Sequence, residues 1–167
     1  MSTPVKDVYE DLQQYVGDSK RMPLGVIRAQ DFQRFAIASG DLNPLFFDDE
    51  AAQRYGYPGA MAPPLYLSSV MGWGAGPPEE SLLPDGSAGE DVASLPLQGL
   101  RLMGSGQDLE FVRPVTDRTE ITMERNVEAV EYKDGRSGPL ILIKLVKRFM
   151  DGDGQNLVVS RESFIAR

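Results

Sequence analysis

The chain of 167 residues contains no cysteine and no histidine. The first absence excludes disulfides, thiol nucleophiles and thiolate metal sites. The second removes Ser-His-Asp and Cys-His machinery, the usual zinc sites, and the side chain best suited to proton transfer near neutrality. Acid–base work must therefore fall to carboxylates, lysine, tyrosine or the backbone. Basic charge is short as well: 17 Lys and Arg stand against 25 Asp and Glu, a formal net charge of −8. Nucleic acid and anionic membrane surfaces both need clustered positive charge, so neither is expected as a partner. No apolar run approaches the ~20 residues that span a bilayer. The opening MSTPVKDVYEDLQ has no apolar signal-peptide core, which predicts a cytoplasmic protein.

What remains is enough to fold. With 41% hydrophobic residues the chain is too apolar for disorder. Its length suits one domain over residues 1–167 that buries a core without disulfide or metal. Val5 to Val16 carries apolar residues at helical spacing and is ended by Gly17. A short extended piece near Met22–Arg28 follows, then a second helix over Asp31–Ser39 stopped by Gly40. Asp48 is placed to cap a third helix over Asp49–Tyr55. Pro63-Pro64 then opens an apolar stretch, Leu65 to Trp73, that reads as a buried central helix. Residues 74–96 hold Gly, Pro and acidic residues without periodicity and predict a long flexible loop.

From Leu97 onward the pattern is that of strands: 97–103, 107–115, 119–133, 139–150 and 157–166. Asp134-Gly135 and Asp151-Gly152-Asp153-Gly154 separate the last three as in an antiparallel meander. Helices followed by a sheet make an α+β domain whose central helix packs on that sheet. Some local signals have a plain structural reading. The Asp151–Gly154 run begins like a calcium loop, but the Gly required at loop position 6 is Asn156, and a hairpin turn explains it. Gly72–Gly76 and Gly104-Ser105-Gly106 complete no phosphate-loop fingerprint. Lys144, Lys147 and Arg148 read as a solvated strand face.

The informative segment runs from Phe35 through Ser39-Gly40-Asp41-Leu42-Asn43-Pro44-Leu45-Phe46-Phe47-Asp48 to Ala51-Ala52, Gly56-Tyr57 and Ala62-Pro63-Pro64. It resembles the hydratase motif of MaoC-like hot-dog proteins, Y-A-x-x-S-G-D-x-N-P-[IL]-H followed by A-x-x-x-G-[YF] and an H-G that opens the central helix. Further along, Phe111-Val112-Arg113-Pro114-Val115 resembles the family's F-x-R-P-V strand, and Ser137-Gly138-Pro139-Leu140 its N-terminal dehydratase hairpin. The likeness spans roughly residues 5 to 166. It implies a hot-dog fold, an antiparallel sheet wrapped around a long central helix, and a relationship to (R)-specific enoyl-CoA hydratases and 3-hydroxyacyl dehydratases.

In that family an Asp and a His bracket the water that adds to an α,β-unsaturated thioester. A Gly amide at the start of the central helix holds the thioester oxygen. The resemblance carries these roles over incompletely. Asp41 and Asn43 match the motif, but the His position is Phe46 and the amide-donor Gly is Pro64, which has no N–H. Asp41 has a structural reading too, bracing the Asn43-Pro44 turn. The same departures resemble non-catalytic halves of double hot dogs and non-catalytic subunits of heterodimeric dehydratases. In such halves a hollowed core accepts the acyl tail of the partner's substrate.

That resemblance implies an acyl-binding subunit with a vestigial site at Asn43, Phe46 and Pro64. Phe47, Pro63, Leu65 and Trp73 would line the acyl tunnel, with Gly72, Gly74 and Gly76 leaving room. No cofactor or metal is expected. The partners implied are an acyl thioester, on CoA or a carrier protein, and a second hot dog as heterodimer or homodimer. Two other readings stay open. One is a homodimeric enzyme of altered chemistry, a dehydratase relying on Asp41 or a thioesterase using Asp41 or Glu50. The other is an acyl-binding scaffold.

Overall fold

The computed structural model describes residues 5–69, 78–82, 95–97 and 99–167. Helices come first: α1 (Val5–Leu12), α2 (Ala29–Ser39), α3 (Asp49–Arg54) and a short α4 (Tyr66–Ser69). Strand β1 (Ser19–Val26) lies between α1 and α2, and β2 (Leu102–Phe111), β3 (Glu120–Gly135), β4 (Gly138–Met150) and β5 (Asn156–Ala166) follow. All five strands form one sheet in the order β1-β3-β4-β5-β2, every pair antiparallel. Residues 70–77 and 83–94 fall outside the description. The end of the expected helix over Leu65–Trp73, residues 70–73, and most of the expected 74–96 loop therefore lie outside it.

Several boundaries differ from the sequence reading for local reasons. Helix α1 gives way at Leu12 to a 3-10 turn, Gln13–Tyr15, because Gly17 at φ 90° diverts the chain to hydrogen-bond the Val127 carbonyl. The two strands expected at 97–103 and 107–115 are one strand, β2. The glycines that looked like a break form a bulge between Gly104 and Gly106 instead. The extended piece begins earlier, at Ser19, and its register shifts at Pro23, which has no N–H to donate and sits on an edge strand. Helix α3 is capped as expected: Asp48 Oδ1 accepts from the N–H groups of Glu50 (2.9 Å) and Ala51 (3.2 Å).

Alternation along the meander decides what is buried. Ile141, Ile143 and Leu145 on β4 face inward at 0–1% exposure. A bulge between Val127 and Ala129 on β3 lets Val127 and Val130 both reach the core although they are three residues apart. Two apolar clusters result. One gathers Leu24, Phe32, Tyr66, Leu67, Ile121 and Phe149 beneath α2 and α4. The other gathers Val8, Leu12, Val127, Ile143 and Leu145 beneath α1. The same alternation corrects the basic cluster. Lys144 and Arg148 face outward against Glu131 and Glu124, but Lys147 lies on the inner face and pairs with Glu162. No helix of the described residues is long and apolar enough to cross a membrane.

Phe32 is fully buried and packs edge-on against Tyr66 at 6.2 Å. Phe32→Ala should cost about 3–5 kcal/mol, seen as a lower midpoint in urea at unchanged slope. On the outer face, hydrogen bonds from Lys133 and Lys144 hold the Glu131 carboxyl down at about 2, against a usual 4.5. A depressed folded-state pKa contributes stability above the unfolded value and loses it as pH falls through the folded one. The melting-temperature gap between wild type and Glu131→Gln should be largest near neutral pH and close between about 4.5 and 2.

Candidate functional site

The site begins where α2 stops. Gly40 adopts φ 74°, and the Asp41 N–H turns back to the Ala36 carbonyl at 2.9 Å. Two successive side-chain turns follow. Asp41 Oδ1 accepts from the Asn43 N–H at 3.3 Å, and Asn43 Oδ1 accepts from the Leu45 N–H at 3.1 Å. They lead into a 3-10 turn, Pro44–Phe46, that buries the Phe46 ring at 4% exposure. Gln33 Nε2 donates to the Phe46 carbonyl at 3.2 Å, tying the turn to α2. Asp41 itself is exposed.

Consecutive backbone donors fasten the next part of the motif. The Ala60 N–H donates to Asp49 Oδ1 at 2.7 Å, the Met61 N–H to the Leu45 carbonyl at 3.0 Å, and the Ala62 N–H to the Val115 carbonyl at 2.7 Å. Pro63 and Pro64 come next and have no N–H to give. The chain then turns into α4 with the Tyr66 N–H on the Pro63 carbonyl at 3.0 Å. Tyr66 is buried against Phe35 and Phe32, and burial, with Asp31 nearby, raises its phenol pKa.

The fastened segment forms one wall of a cleft of about 390 Å³. Pro63, Pro64 and Leu67 line the cleft together with Phe111, Arg113 and Val158, among others. Arg113 is held from behind: it pairs with Asp151 at 3.0 Å and donates through Nε to the Asn156 carbonyl at 3.3 Å. Asp151 also accepts from the N–H groups of Gln155 and Asp153. The Gln155 N–H, and then the Arg113 guanidinium, hold its carboxyl below the usual range. The Asp-Gly-Asp-Gly run is thus a turn whose first carboxylate anchors an arginine. Among the described residues, no group of three or more carboxylates is placed to hold a metal ion.

The family model for the FAS1-like dehydratase domain region matches residues 20–160. The chain belongs to that family. A relative, the UPF0336 protein SCO4636 of Streptomyces coelicolor, is 26% identical over 138 residues, covering 83% of this chain and 82% of its own. Among solved structures, a chain of the ChsH1-ChsH2 complex from Mycobacterium tuberculosis superposes with a TM-score of 0.77 at 18% identity, covering 97% of this chain and 92% of that one. The HadBC 3R-hydroxyacyl-ACP dehydratase complex of the same organism gives 0.61 at 14% identity, over 99% of both chains. The (R)-hydratase PhaJ1 of Pseudomonas aeruginosa gives 0.63 at 21% identity, over 95% of this chain and 84% of that one. The fold is the hot dog of the MaoC-like hydratases and dehydratases.

Within this dehydratase-family fold the motif residues part company. Pro63 and Pro64 meet Arg113, Pro114 and Val115 at the cleft, so two motifs about fifty residues apart converge. Asp41, Asn43, Phe46 and Phe47 do not line it. Leu65, expected in the tunnel, is 54% exposed and lies off the cleft. Trp73, Gly72, Gly74 and Gly76 fall outside the described residues. Sequence reasoning missed Tyr57, Phe111 and Val158 as lining residues. The first two stand inside quoted motifs. Val158 carried no signal beyond strand alternation.

The Asp49 carboxylate is the side chain that pins the segment leading into the prolines. Asp49→Ala leaves the buried Ala60 N–H without its acceptor, at a cost of about 1–3 kcal/mol. Hydrogen exchange at Ala60 to Ala62 should rise well above that of the β4 core.

Proposed function

We propose that this chain is an acyl-binding, non-catalytic hot-dog subunit of an (R)-specific enoyl-thioester hydratase or 3-hydroxyacyl dehydratase, working with a His-bearing hot-dog partner. The observation that carries the reading is Pro64. It stands on the wall of the cleft at the motif position of the amide donor, and a tertiary amide has no proton to offer an oxyanion. Losing one such donor costs about 100–1,000-fold in rate. With Phe46 at the motif His position and no histidine anywhere in the chain, the proton-transfer partner is missing as well.

The cleft suits a binding role. It is concave and bordered by proline, leucine, valine and phenylalanine, with Arg113 fixed at one side. Similarity to the ChsH1-ChsH2 and HadBC complexes supports a second hot dog as partner. Strand β2 suits that role: it is an edge strand whose residues are mostly exposed, with Phe111 at 51% and Val112 just beyond it at 47%. An enzyme acting by itself through Asp41 finds less support, because that carboxylate lies off the cleft and accepts from the Asn43 N–H in the turn.

The purified chain, assayed on crotonyl-CoA and longer enoyl-CoAs, should show no hydration above background. Activity should appear when a hot-dog protein with an intact Asp and His is added. Robust turnover by the chain alone would overturn the reading, and Asp41→Asn would then show whether that carboxylate is responsible.

A further inference from the structure

The inner face of the sheet is not apolar throughout. Lys20, Arg125, Lys147, Ser160 and Leu109 are register partners in turn, so one row of them crosses all five strands. Directly opposed residues share a face. Two residues along their strands from Arg125, Lys147 and Ser160 lie Met123, Phe149 and Val158, all buried, so the row faces the core. It runs between the two apolar clusters, with Met123, Phe149 and Val158 on one side and Val127 and Leu145 on the other.

The polar groups of this row and the next are joined. Lys147 Nζ meets Glu162 Oε2 at 2.8 Å, with only 18% and 11% of the two side chains exposed. Ser160, fully buried, donates to Glu162 Oε1 at 3.0 Å. Gln107 Nε2 donates to Ser160 Oγ at 3.0 Å and to Glu162 Oε1 at 3.3 Å. Arg125 Nε is buried beside them without an acceptor.

The band begins one same-face step beyond the residues that line the cleft. Two of those lining residues, Val158 and Phe111, are opposed across β5 and β2. Ser160 and Leu109 are the next residues on the same face, about 7 Å further along the strands. An alkyl chain that passed Val158 would lie against an ion pair and a hydroxyl whose hydrogen bonds it cannot replace.

We infer that the Lys147–Glu162–Ser160–Gln107 band is the end stop of the acyl site, restricting it to short alkyl tails. The inference rests on the acyl-binding reading above and names the residues that set its chain-length limit. Calorimetric titration of the full chain with saturated CoA thioesters from butyryl to dodecanoyl tests it, with CoA alone as the reference. Without a stop, each added CH2 would tighten binding about fourfold. The affinity should instead climb over the shorter members and then stay flat or fall. In Lys147→Met/Glu162→Leu, apolar groups replace the ion pair, and such exchanges are often tolerated. There the climb should continue, with dodecanoyl-CoA bound at least about tenfold tighter than by wild type. An unbroken climb in the wild type overturns the end stop and leaves acyl binding standing, whether or not the variant folds. A break that stays in place in the folded variant also overturns it. Failure of every thioester to bind more tightly than CoA alone removes acyl binding and the end stop together.

Discussion

Hydrogen bonds from Ala60, Met61 and Ala62 hold the architecture around the cleft in place. Successive amides reach a carboxylate on α3, a carbonyl in the 3-10 turn and a carbonyl at Val115 beyond the end of β2. The next two residues are prolines, so the sequence changes abruptly from a segment that donates at every position to one that donates at none. This grip joins the motif turn after α2 to the Arg-Pro-Val segment about seventy residues later. The same two prolines, held at the cleft wall, deprive it of an amide donor.

That constraint separates binding from chemistry. A hot-dog hydratase needs shape, a proton shuttle and an oxyanion donor, and these are physically independent requirements. Here the shape is present: a cleft with apolar walls and an arginine fixed by Asp151 and the Asn156 carbonyl. The turn that would carry the proton shuttle is folded as a turn, its Asp and Asn side chains occupied by backbone amides and its terminal phenyl ring buried. The wall that would carry the donor is proline. On the reading proposed above, such a protein contributes surface and selectivity to a joint site, and its partner supplies the reacting groups.

The polar band across the inner face has an energetic consequence as well. Buried ion pairs contribute little net stability over apolar residues of similar volume, and breaking one side of such a pair is costly. Lys147 and Glu162 therefore divide the core into two clusters at some expense in apolar continuity, with Ser160 and Gln107 completing the network. The division lies one same-face residue beyond Val158 and Phe111, which line the cleft.

Much of this was legible in the sequence. The meander, the Asp48 cap, the stop at Gly40 and the antiparallel hot-dog class follow from local turn chemistry and period-two patterning, which act over a few residues and leave their marks in order along the chain. The motif resemblance singles out Pro64 and Phe46, and of the two only Pro64 lines the cleft. Other features needed the fold. Gly104-Ser105-Gly106 proved to be a bulge within one strand, because a bulge and a break use the same glycines and only the partner strand distinguishes them. Lys147 lies on the inner face because strand register, not its own chemistry, assigns its side. The sequence by itself determined which groups this protein can never offer, histidine, thiol and an amide proton at Pro64, because composition is independent of conformation. Only tertiary structure decided that Asp41 stands away from the cleft while Pro64 and Arg113 meet there, because that meeting depends on hydrogen bonds between segments far apart in the chain.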